Sequence, residues 1–330
     1  MNYFFIFLIL IAAELVYFQV AHRFDIVDRP NARSSHHQVT PRGGGIIFPI
    51  SVAVWALFFG LHYPWFVLGL LLIATISFAD DVKPVANAPR LVIHFIAMFL
   101  MFYNVGLLTP QTWWMVFIAM IVCVGILNAF NFMDGINGIT GGYSIAVLLP
   151  LLLLNTIGLT GCPGTLGFIR QDFLLVILLA VLVFCWFNFR THARCFAGDV
   201  GAVSIAFILI FAIGKLMMQT KDVSYILLLA VYGVDTVLTI VHRILLHENL
   251  GVAHRKHAYQ IMANELHIPH VVVSLLYAGL QLLIAAGLLF LPVNHYLYMA
   301  VVLVILGFSY LLFMKKYYPL HDAYLKSLEK

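Results

Sequence analysis

Charge is what this chain has least of. Only 10% of its 330 residues are Asp, Glu, Lys or Arg, while 63% are hydrophobic. A soluble domain is roughly a quarter charged, and so few charges cannot cover the surface of a sphere of this size. A soluble globular protein is therefore excluded, and the composition is that of a polytopic membrane protein. Cysteine is scarce as well. Of the four, Cys123, Cys162, Cys185 and Cys195, none belongs to a CxxC pair, and only Cys162 lies in a connection expected on the outer side, so no disulfide framework is expected. Internal repeats, low-complexity tracts and domain linkers are missing too, and residues 1–330 read as a single transmembrane domain. No small-residue cleavage site follows the first apolar run, which therefore reads as an uncleaved helix.

What the chain has in abundance is apolar runs. A helix needs about 20 apolar residues to cross some 30 Å of hydrocarbon. Runs of that kind are predicted at 3–21, 44–63, 65–79, 91–108, 113–131, 139–158, 173–189, 200–217, 223–241, 271–291 and 297–314, the third of them short. The expected fold is all-α with about eleven transmembrane helices, ten being the alternative count, since each backbone polar group must be satisfied within its own segment. The runs are too long and too uniformly apolar for barrel strands.

Lys and Arg set the orientation. Arg23, Arg29, Arg33, Arg42, Lys83, Arg90, Arg190, Arg194, Arg243, Arg255, Lys256, Lys315, Lys316, Lys326 and Lys330 fall in the connections 22–43, 80–90, 132–138, 190–199 and 242–270 and in the tail after 314. The opposite connections hold only Arg170, Lys215 and Lys221. The first group is expected in the cytoplasm, with the N-terminus outside and the C-terminus inside. The net charge of +4 is accounted for by these loops and calls for no nucleic-acid partner.

Polar residues within spans usually serve packing, and Thr75, Ser77, Asn104 and Ser204 are expected to do so. Ionisable residues are costlier, on the order of 2.5–3.5 kcal/mol at a helix centre, and tend to mark sites. Asp80 and Asp81 end the third span in SFADDVKPV, Asp134 ends the fifth in NFMDGING, and Asp199 opens the eighth in CFAGDVGA. All four stand at ends expected on the cytoplasmic side, where a water-soluble substrate can meet a lipid one. Adjacent carboxylates suit a hard divalent ion or a base of raised pKa. They also oppose the dipole of the helix they end, which argues against a plain solvated terminus. Asp199 suits an N-cap as well as a ligand. Asn128, Asn131, Asp134 and Asn137, at intervals of three, offer amides and a carboxylate able to read a nucleobase or sugar. In AHRKHAYQ, residues 253–260, His254, Arg255, Lys256 and His257 can clamp phosphates or form an ordinary basic loop. The run SSHHQVTPRGGG, residues 34–45, suits an anion-cradling turn or a flexible loop. Asp235 and Arg243, which flank the cytoplasmic half of the ninth span, have no assigned role.

In order, TPRGGG, DDVK, NAFNFMDGINGI, FAGDVG and the His-containing loop resemble the polyprenyl-phosphate N-acetylhexosamine-1-phosphate transferases, over about residues 25–265. The resemblance implies a bacterial cytoplasmic-membrane enzyme with its active site at the cytoplasmic face. It implies transfer of a HexNAc 1-phosphate, of GlcNAc or 6-deoxy-HexNAc type, from a UDP-sugar to undecaprenyl phosphate, with release of UMP. That reaction initiates a cell-envelope polysaccharide such as O antigen. It implies Mg2+, with Mn2+ as the alternative, on Asp199 and with Asp80 and Asp81 as further candidates. Asp80 and Asp81 would handle the lipid phosphate, and Asp80, Asp81 and Asp199 form the catalytic set. Phe196 matches the aromatic that stacks on uracil, and Asn131 with Asp134 matches the nucleotide pocket. Asn128, Asn137, Arg42, His254, Arg255 and His257 complete the substrate set. A homodimer is compatible with this reading. Asn137 departs from the second Asp that many members carry, and Ala202 from a common Ser. The loop HRKHAYQ differs from the three-His cluster of the peptidoglycan enzyme, which ranks a MurNAc-pentapeptide donor low. The competing class is a transporter of nucleotide sugars or lipid-linked sugars, which would favour repeats and midplane sites. The one-sided clusters here argue against it.

Overall fold

A computed structural model describes residues 2–30, 38–157, 166–252 and 254–328. Ser34, Ser35, His36 and His37 of the Ser/His-rich run lie outside the described residues, as does Cys162. The chain is an all-α polytopic membrane protein. Its helices are α1 (Asn2–Arg23), α2 (Ile47–Phe59), α3 (Pro64–Val82), α4 (Asn87–Val105), α5 (Trp113–Met133), α6 (Ile139–Ile157), α7 (Gln171–Asn188), α8 (Gly198–Thr220), α9 (Ala230–Leu245), α10 (Ala258–Asn264), α11 (His270–Phe290) and α12 (His295–Leu328). Short 3₁₀ segments, Gly44–Ile46 and Val223–Leu229, lead into α2 and α9. Among the described residues ten helical segments are long and apolar enough to span, and Gly44–Phe59 is a shorter apolar one.

The expected order of spans is observed, with three differences. The short span is the second, not the third. Gly60 ends α2, and Pro64, whose missing N–H costs nothing in a first turn, starts a full-length α3. Helix α3 runs past the expected 79 to Val82, so Asp80 and Asp81 sit in its last turn, with carboxylates that have partners on other segments. Helix α12 runs well past the expected 314, to 328. Two further elements lie in expected connections: α10, and a two-residue antiparallel ladder, β1 (Val27–Asp28) on β2 (Thr40–Pro41), that holds the chain just before Arg42.

Helix α8 is the axis of the molecule. Seventeen of its residues are buried, from Gly198 to Leu216, so nearly every face of it is covered by protein. Helices α2, α3, α4, α5 and α6 all pack against it. Phe66 on α3 stacks on Phe207 and Phe211 of α8, with ring centroids 5.5 and 4.1 Å apart. The outer helices α1, α4, α5 and α12 expose much of their apolar surface, as helices facing lipid do. One of the polar residues expected to serve packing is seen doing so: Asn104 of α4 accepts the Phe66 N–H of α3 at 2.7 Å. Thr75 is exposed, and its hydroxyl donates to the Leu71 carbonyl of its own helix at 2.7 Å.

Candidate functional site

The C-terminal ends of α3 and α5, the N-terminal ends of α4 and α8, and the Arg42 loop meet at one end of the bundle. A helix begins with unpaired N–H groups and partial positive charge, and at α8 these are met by a carboxylate from another helix. Asp81, buried, accepts the Asp199 and Val200 N–H groups, at 2.9 Å each, one on each oxygen. Arg42 Nε adds an ion pair at 2.6 Å. This explains how an acid can end α3 against that helix's own dipole: it serves the positive end of its neighbour. It also differs from the expected use of Asp81 on a lipid phosphate or metal, since both oxygens are already engaged.

Gly198 makes the approach feasible. Its φ is +71°, and a Cβ there would fall 2.6 Å from Asp81 Oδ2. The Gly43–Gly45 run has a related use. The Gly44 N–H donates to the Phe196 carbonyl at 2.8 Å and the Gly45 N–H to that of Ala197 at 3.0 Å. Gly45 and Gly201 touch backbone to backbone, with a Cβ on Gly45 falling 2.2 Å from the Gly201 Cα. The run is neither an anion cradle nor a loose loop, because the Gly44 and Gly45 amides and the space beside them are taken by the 196–201 segment.

Asp80 and Asp199 are arranged otherwise. Asp80 Oδ1 accepts the Val85 N–H at 2.6 Å and Oδ2 pairs with Arg90 Nη1 at 2.8 Å. Asp199 Oδ1 pairs with Arg42 Nη2 at 2.9 Å, and its Oδ2 lies 3.8 Å from the same Arg90 Nη1. Two carboxylates thus converge on one guanidinium, and a second arginine links Asp199 to Asp81. Burial works against the charge of Arg42, but Asp81 and Asp199 outweigh it and push its pKa above the ordinary value. Arg90, counted in the sequence only as an orientation signal, emerges as a site residue. Its clue was its place in the same loop, ten residues after Asp80.

Asp134 follows α5 directly and accepts the Thr140 hydroxyl at 2.5 Å. Burial, helped by the negative charge of Asp199 and opposed by the Thr140 hydrogen bond, raises its pKa to about 6.

Beside this cluster lies a cleft of about 430 Å³ between α4, α5 and the loop before α10. Arg90, His94, Asn128, Asn131, His254 and His257 furnish its polar wall. The structure therefore brings Asn128, Asn131, His254 and His257 together, as expected, and adds His94, whose two ring nitrogens are buried without a protein partner. Asn128 also donates to the Val124 carbonyl within its own helix, at 2.9 Å. Asp134 and Phe196 are not on these walls; the Phe196 backbone is tied to Pro41 and Gly44.

Two expected substrate residues are used differently. Asn137 is buried, and its amide donates to the carbonyls of Arg190 and Thr191, at 3.0 Å each. A carboxylate could not donate those bonds, which accounts for Asn where the resemblance leads one to expect Asp. Arg255 turns from the cleft to pair with Glu265 at 3.1 Å and to lie over the Tyr324 ring at 4.3 Å.

Helix α9 builds the loop that closes the cleft. Arg243 donates to the carbonyls of Asn249 and Val252, at 2.7 and 3.0 Å, and pairs with Glu248. Lys256 pairs with Glu248 as well. Asp235 accepts from the Tyr277 hydroxyl at 2.6 Å, the Thr239 hydroxyl at 3.2 Å, the Ala258 N–H at 3.1 Å and His257 Nδ1 at 3.3 Å. These are the contacts that the two unassigned span residues make.

Among the described residues no three His, Cys, Asp or Glu side chains are gathered as a metal site. Mg2+, however, commonly takes only one or two carboxylates together with substrate phosphates and water. Asp80 and Asp199 would fit that requirement with an ion in place of the Arg90 guanidinium that their Oδ2 atoms share, whereas Asp81 has both oxygens committed to the start of α8. The all-oxygen donor set suits a hard ion.

Residues 63–217 match Glycosyl transferase family 4. The chain is 26% identical over 260 residues to the Bacillus subtilis protein named "Probable undecaprenyl-phosphate N-acetylglucosaminyl 1-phosphate transferase", covering 73% of this chain and 70% of that one. It is 26% identical over 224 residues to the phospho-N-acetylmuramoyl-pentapeptide-transferase of Thermotoga maritima, covering 61% and 68%. It is 28% identical over 232 residues to the decaprenyl-phosphate N-acetylglucosaminephosphotransferase of Mycolicibacterium smegmatis, covering 61% and 57%. The segment that matches the family contains Asp80, Asp81, Asp134 and Asp199, the four acids that meet at one end of the bundle.

Proposed function

We propose that the chain is a polyprenyl-phosphate sugar-1-phosphate transferase. The donor is a UDP-HexNAc of GlcNAc or 6-deoxy-HexNAc type and the acceptor is undecaprenyl phosphate. The observation that carries this reading is the convergence of Asp80 and Asp199 on Arg90, which also lines the cleft. The rim of that cleft is apolar and open: Leu91, Phe132, Leu250 and Val252 are each more than 40% exposed. A phosphate on a greasy chain can reach Arg90 through such a rim, while a water-soluble donor reaches the carboxylates from the loop side. The Lys/Arg bias of the loops supports placing that side in the cytoplasm, with the N-terminus outside, in a bacterial cytoplasmic membrane.

The reaction forms a P–O bond between an oxygen of the lipid phosphate and the sugar-bearing phosphorus. The bond from that phosphorus to the oxygen of UMP breaks. Both reactants are anionic, so the chain must offset charge and hold them in line. Arg90 binds the phosphates and keeps Asp80 in place. Arg42 holds Asp199 against α8. Asp80 and Asp199 would hold Mg2+, which when bound offsets charge on the diphosphate and on the leaving UMP. By the resemblance, ionised Asp134 would accept an N–H of uracil and Phe196 would offer its ring to the base from outside the cleft walls described above, while Asn131 and Asn128 on those walls would read further polar atoms. Asp81 acts through α8, fixing the position of Asp199.

The test uses purified protein with undecaprenyl phosphate, Mg2+ and a panel of UDP-sugars that includes UDP-MurNAc-pentapeptide. UMP together with a lipid-diphosphate sugar of matching mass is expected from a HexNAc donor, and EDTA should abolish it until Mg2+ is restored. UMP from the pentapeptide donor alone would overturn the sugar assignment. Donor binding without UMP release from any sugar would overturn the reaction.

A further inference from the structure

Among the polar groups of the cleft, two imidazoles are held by opposite bonds. His257 is 1% exposed, and its Nδ1 faces Asp235 Oδ1 at 3.3 Å. A carboxylate cannot donate, so Nδ1 carries the proton. Nε2 of the same ring is buried with no protein partner, in a residue that lines the cleft. His254 is bonded the other way round. Its Nδ1 accepts the Lys256 N–H at 3.3 Å, which in a neutral ring leaves the proton on Nε2. The two ring centroids are 5.1 Å apart.

The charge state follows from the surroundings. At 3.3 Å the His257–Asp235 contact is longer than the 2.7–2.9 Å or so of a charge-assisted N–H to carboxylate bond. Asp235 does not need a cation, because Tyr277, Thr239, Ala258 and Tyr259 also donate to it. Burial, then the charge of Arg243, opposed by Glu248, push the His254 pKa down to about 3. The cations that face this pair, Arg243 and Lys256, add to the cost of any further positive charge, and Glu248, paired with both, offsets part of it.

We infer that Asp235 is a positioning residue: with the Lys256 N–H it sets His257 and His254 as a neutral acceptor and donor, matched to a hydroxyl or acylamino group of the donor sugar. Phosphate oxygens on a bound diphosphate only accept, so an unprotonated Nε2 has nothing to take from them. A hydroxyl, or an amide with its N–H and C=O, offers both partners. A buried bare nitrogen costs about 1–3 kcal/mol when unmet, and a ligand that meets it recovers that cost, which is how a site rejects an analogue lacking the group. This inference rests on the transferase reading for the identity of the ligand, but the tautomers do not.

The experiment has two arms. In the first, the whole protein is labelled with 15N in its histidine rings and its spectrum recorded at pH 7, with His257→Asn and His254→Asn for assignment. Two neutral rings are expected, with the proton of His257 on Nδ1 and that of His254 on Nε2. Asp235→Asn should move the His257 proton to Nε2. A doubly protonated His257 would overturn the inference. In the second, kcat/KM for the accepted UDP-sugar is measured alongside thermal stability. Asp235→Asn should lower kcat/KM about 10–100-fold, the usual range for a residue that orients an imidazole. Asp235→Asn/His257→Asn should then be no worse than His257→Asn alone, because Asp235 acts through that ring. Losses that multiply instead would mean that Asp235 merely holds α10, and would overturn it. Should the wild type turn over no donor, the transferase reading fails while the first arm still decides the tautomers.

Discussion

Asp81→Asn and Asp199→Asn should both abolish turnover, but only the first should weaken the fold. Asp81 is buried, takes two N–H bonds at 2.9 Å from the start of α8 and pairs with Arg42 at 2.6 Å. An asparagine has one acceptor oxygen, so its NH2 would face either the Asp199 or the Val200 N–H, donor against donor. Arg42 would lose its closest partner at the same time. Removing one member of a buried pair costs about 3–5 kcal/mol, enough to lower an unfolding temperature by on the order of 10 °C. Asp199 is different. Its carboxylate is partly open, at 12% side-chain exposure, and Arg42 and Arg90 keep Asp81 and Asp80 as partners when it is neutralised. Its variant should unfold within about 2 °C of wild type, a shift of under 1 kcal/mol, and should release no UMP. Thermal unfolding in detergent, followed by tryptophan fluorescence and paired with the UMP assay, separates the two. If Asp81→Asn unfolds with the wild type, Asp81 is not what holds α8 in place, and the assignment of a supporting role to it fails.

Gly198→Ala should resemble Asp81→Asn, since a methyl group there needs a strained backbone and meets Asp81 Oδ2 at 2.6 Å; wild-type stability and activity would refute the close approach. KM for the UDP-sugar should rise as pH falls through about 6, where Asp134 gains a proton and loses the charge that strengthens its bond to the uracil N–H. The carboxylate is ionised above that pH, so KM should be flat from about 7 upward, and a KM unchanged between pH 5 and 8 would remove Asp134 from the base contact. Arg90→Gln should lower kcat about 100-fold or more, the scale for losing one preorganised charge partner, with stability preserved; near-normal kcat would move the reaction away from the Asp80–Asp199 pair.

The positions of the acids were legible because placing a carboxylate in a greasy chain is costly and leaves a mark in one dimension. Their division of labour was not. Asp80 and Asp81 are neighbours in sequence, but successive helical residues point about 100° apart, so one meets Arg90 and the other meets α8. Asn137 read as a site residue because its spacing matched Asn128, Asn131 and Asp134, while the two carbonyls that claim its amide come from Arg190 and Thr191, beyond another helix. Arg255 was drawn to the site by its histidine neighbours and is drawn away in space by Glu265 and Tyr324. Arg90 and His94 went unnoticed for the converse reason: a basic loop residue and a lone histidine in a span look ordinary until the cleft beside them is seen. The lengths of α2 and α3 were exchanged because hydropathy changes gradually across residues 60–64, whereas helices stop at a glycine and start at a proline.

Helix α12 has 34 residues, about 51 Å at 1.5 Å each, well beyond the ~30 Å of a bilayer core. Its overhang is where the cleft loop is moored. Tyr318 lies 5.7 Å from Lys256, Tyr324 receives Arg255, and His321 bonds Glu265, the partner of Arg255, at 2.8 Å. Within the span, Tyr310 bonds Thr239 of α9 at 2.9 Å. The loop is thus slung between a helix that crosses the membrane inside the bundle and the overhanging end of one at its margin. Substrate that tightens the loop should slow hydrogen exchange along residues 310–324, far from any atom it touches. The end of the chain would then work as a gauge of occupancy, readable by a fluorophore or a crosslink placed there without disturbing the acids.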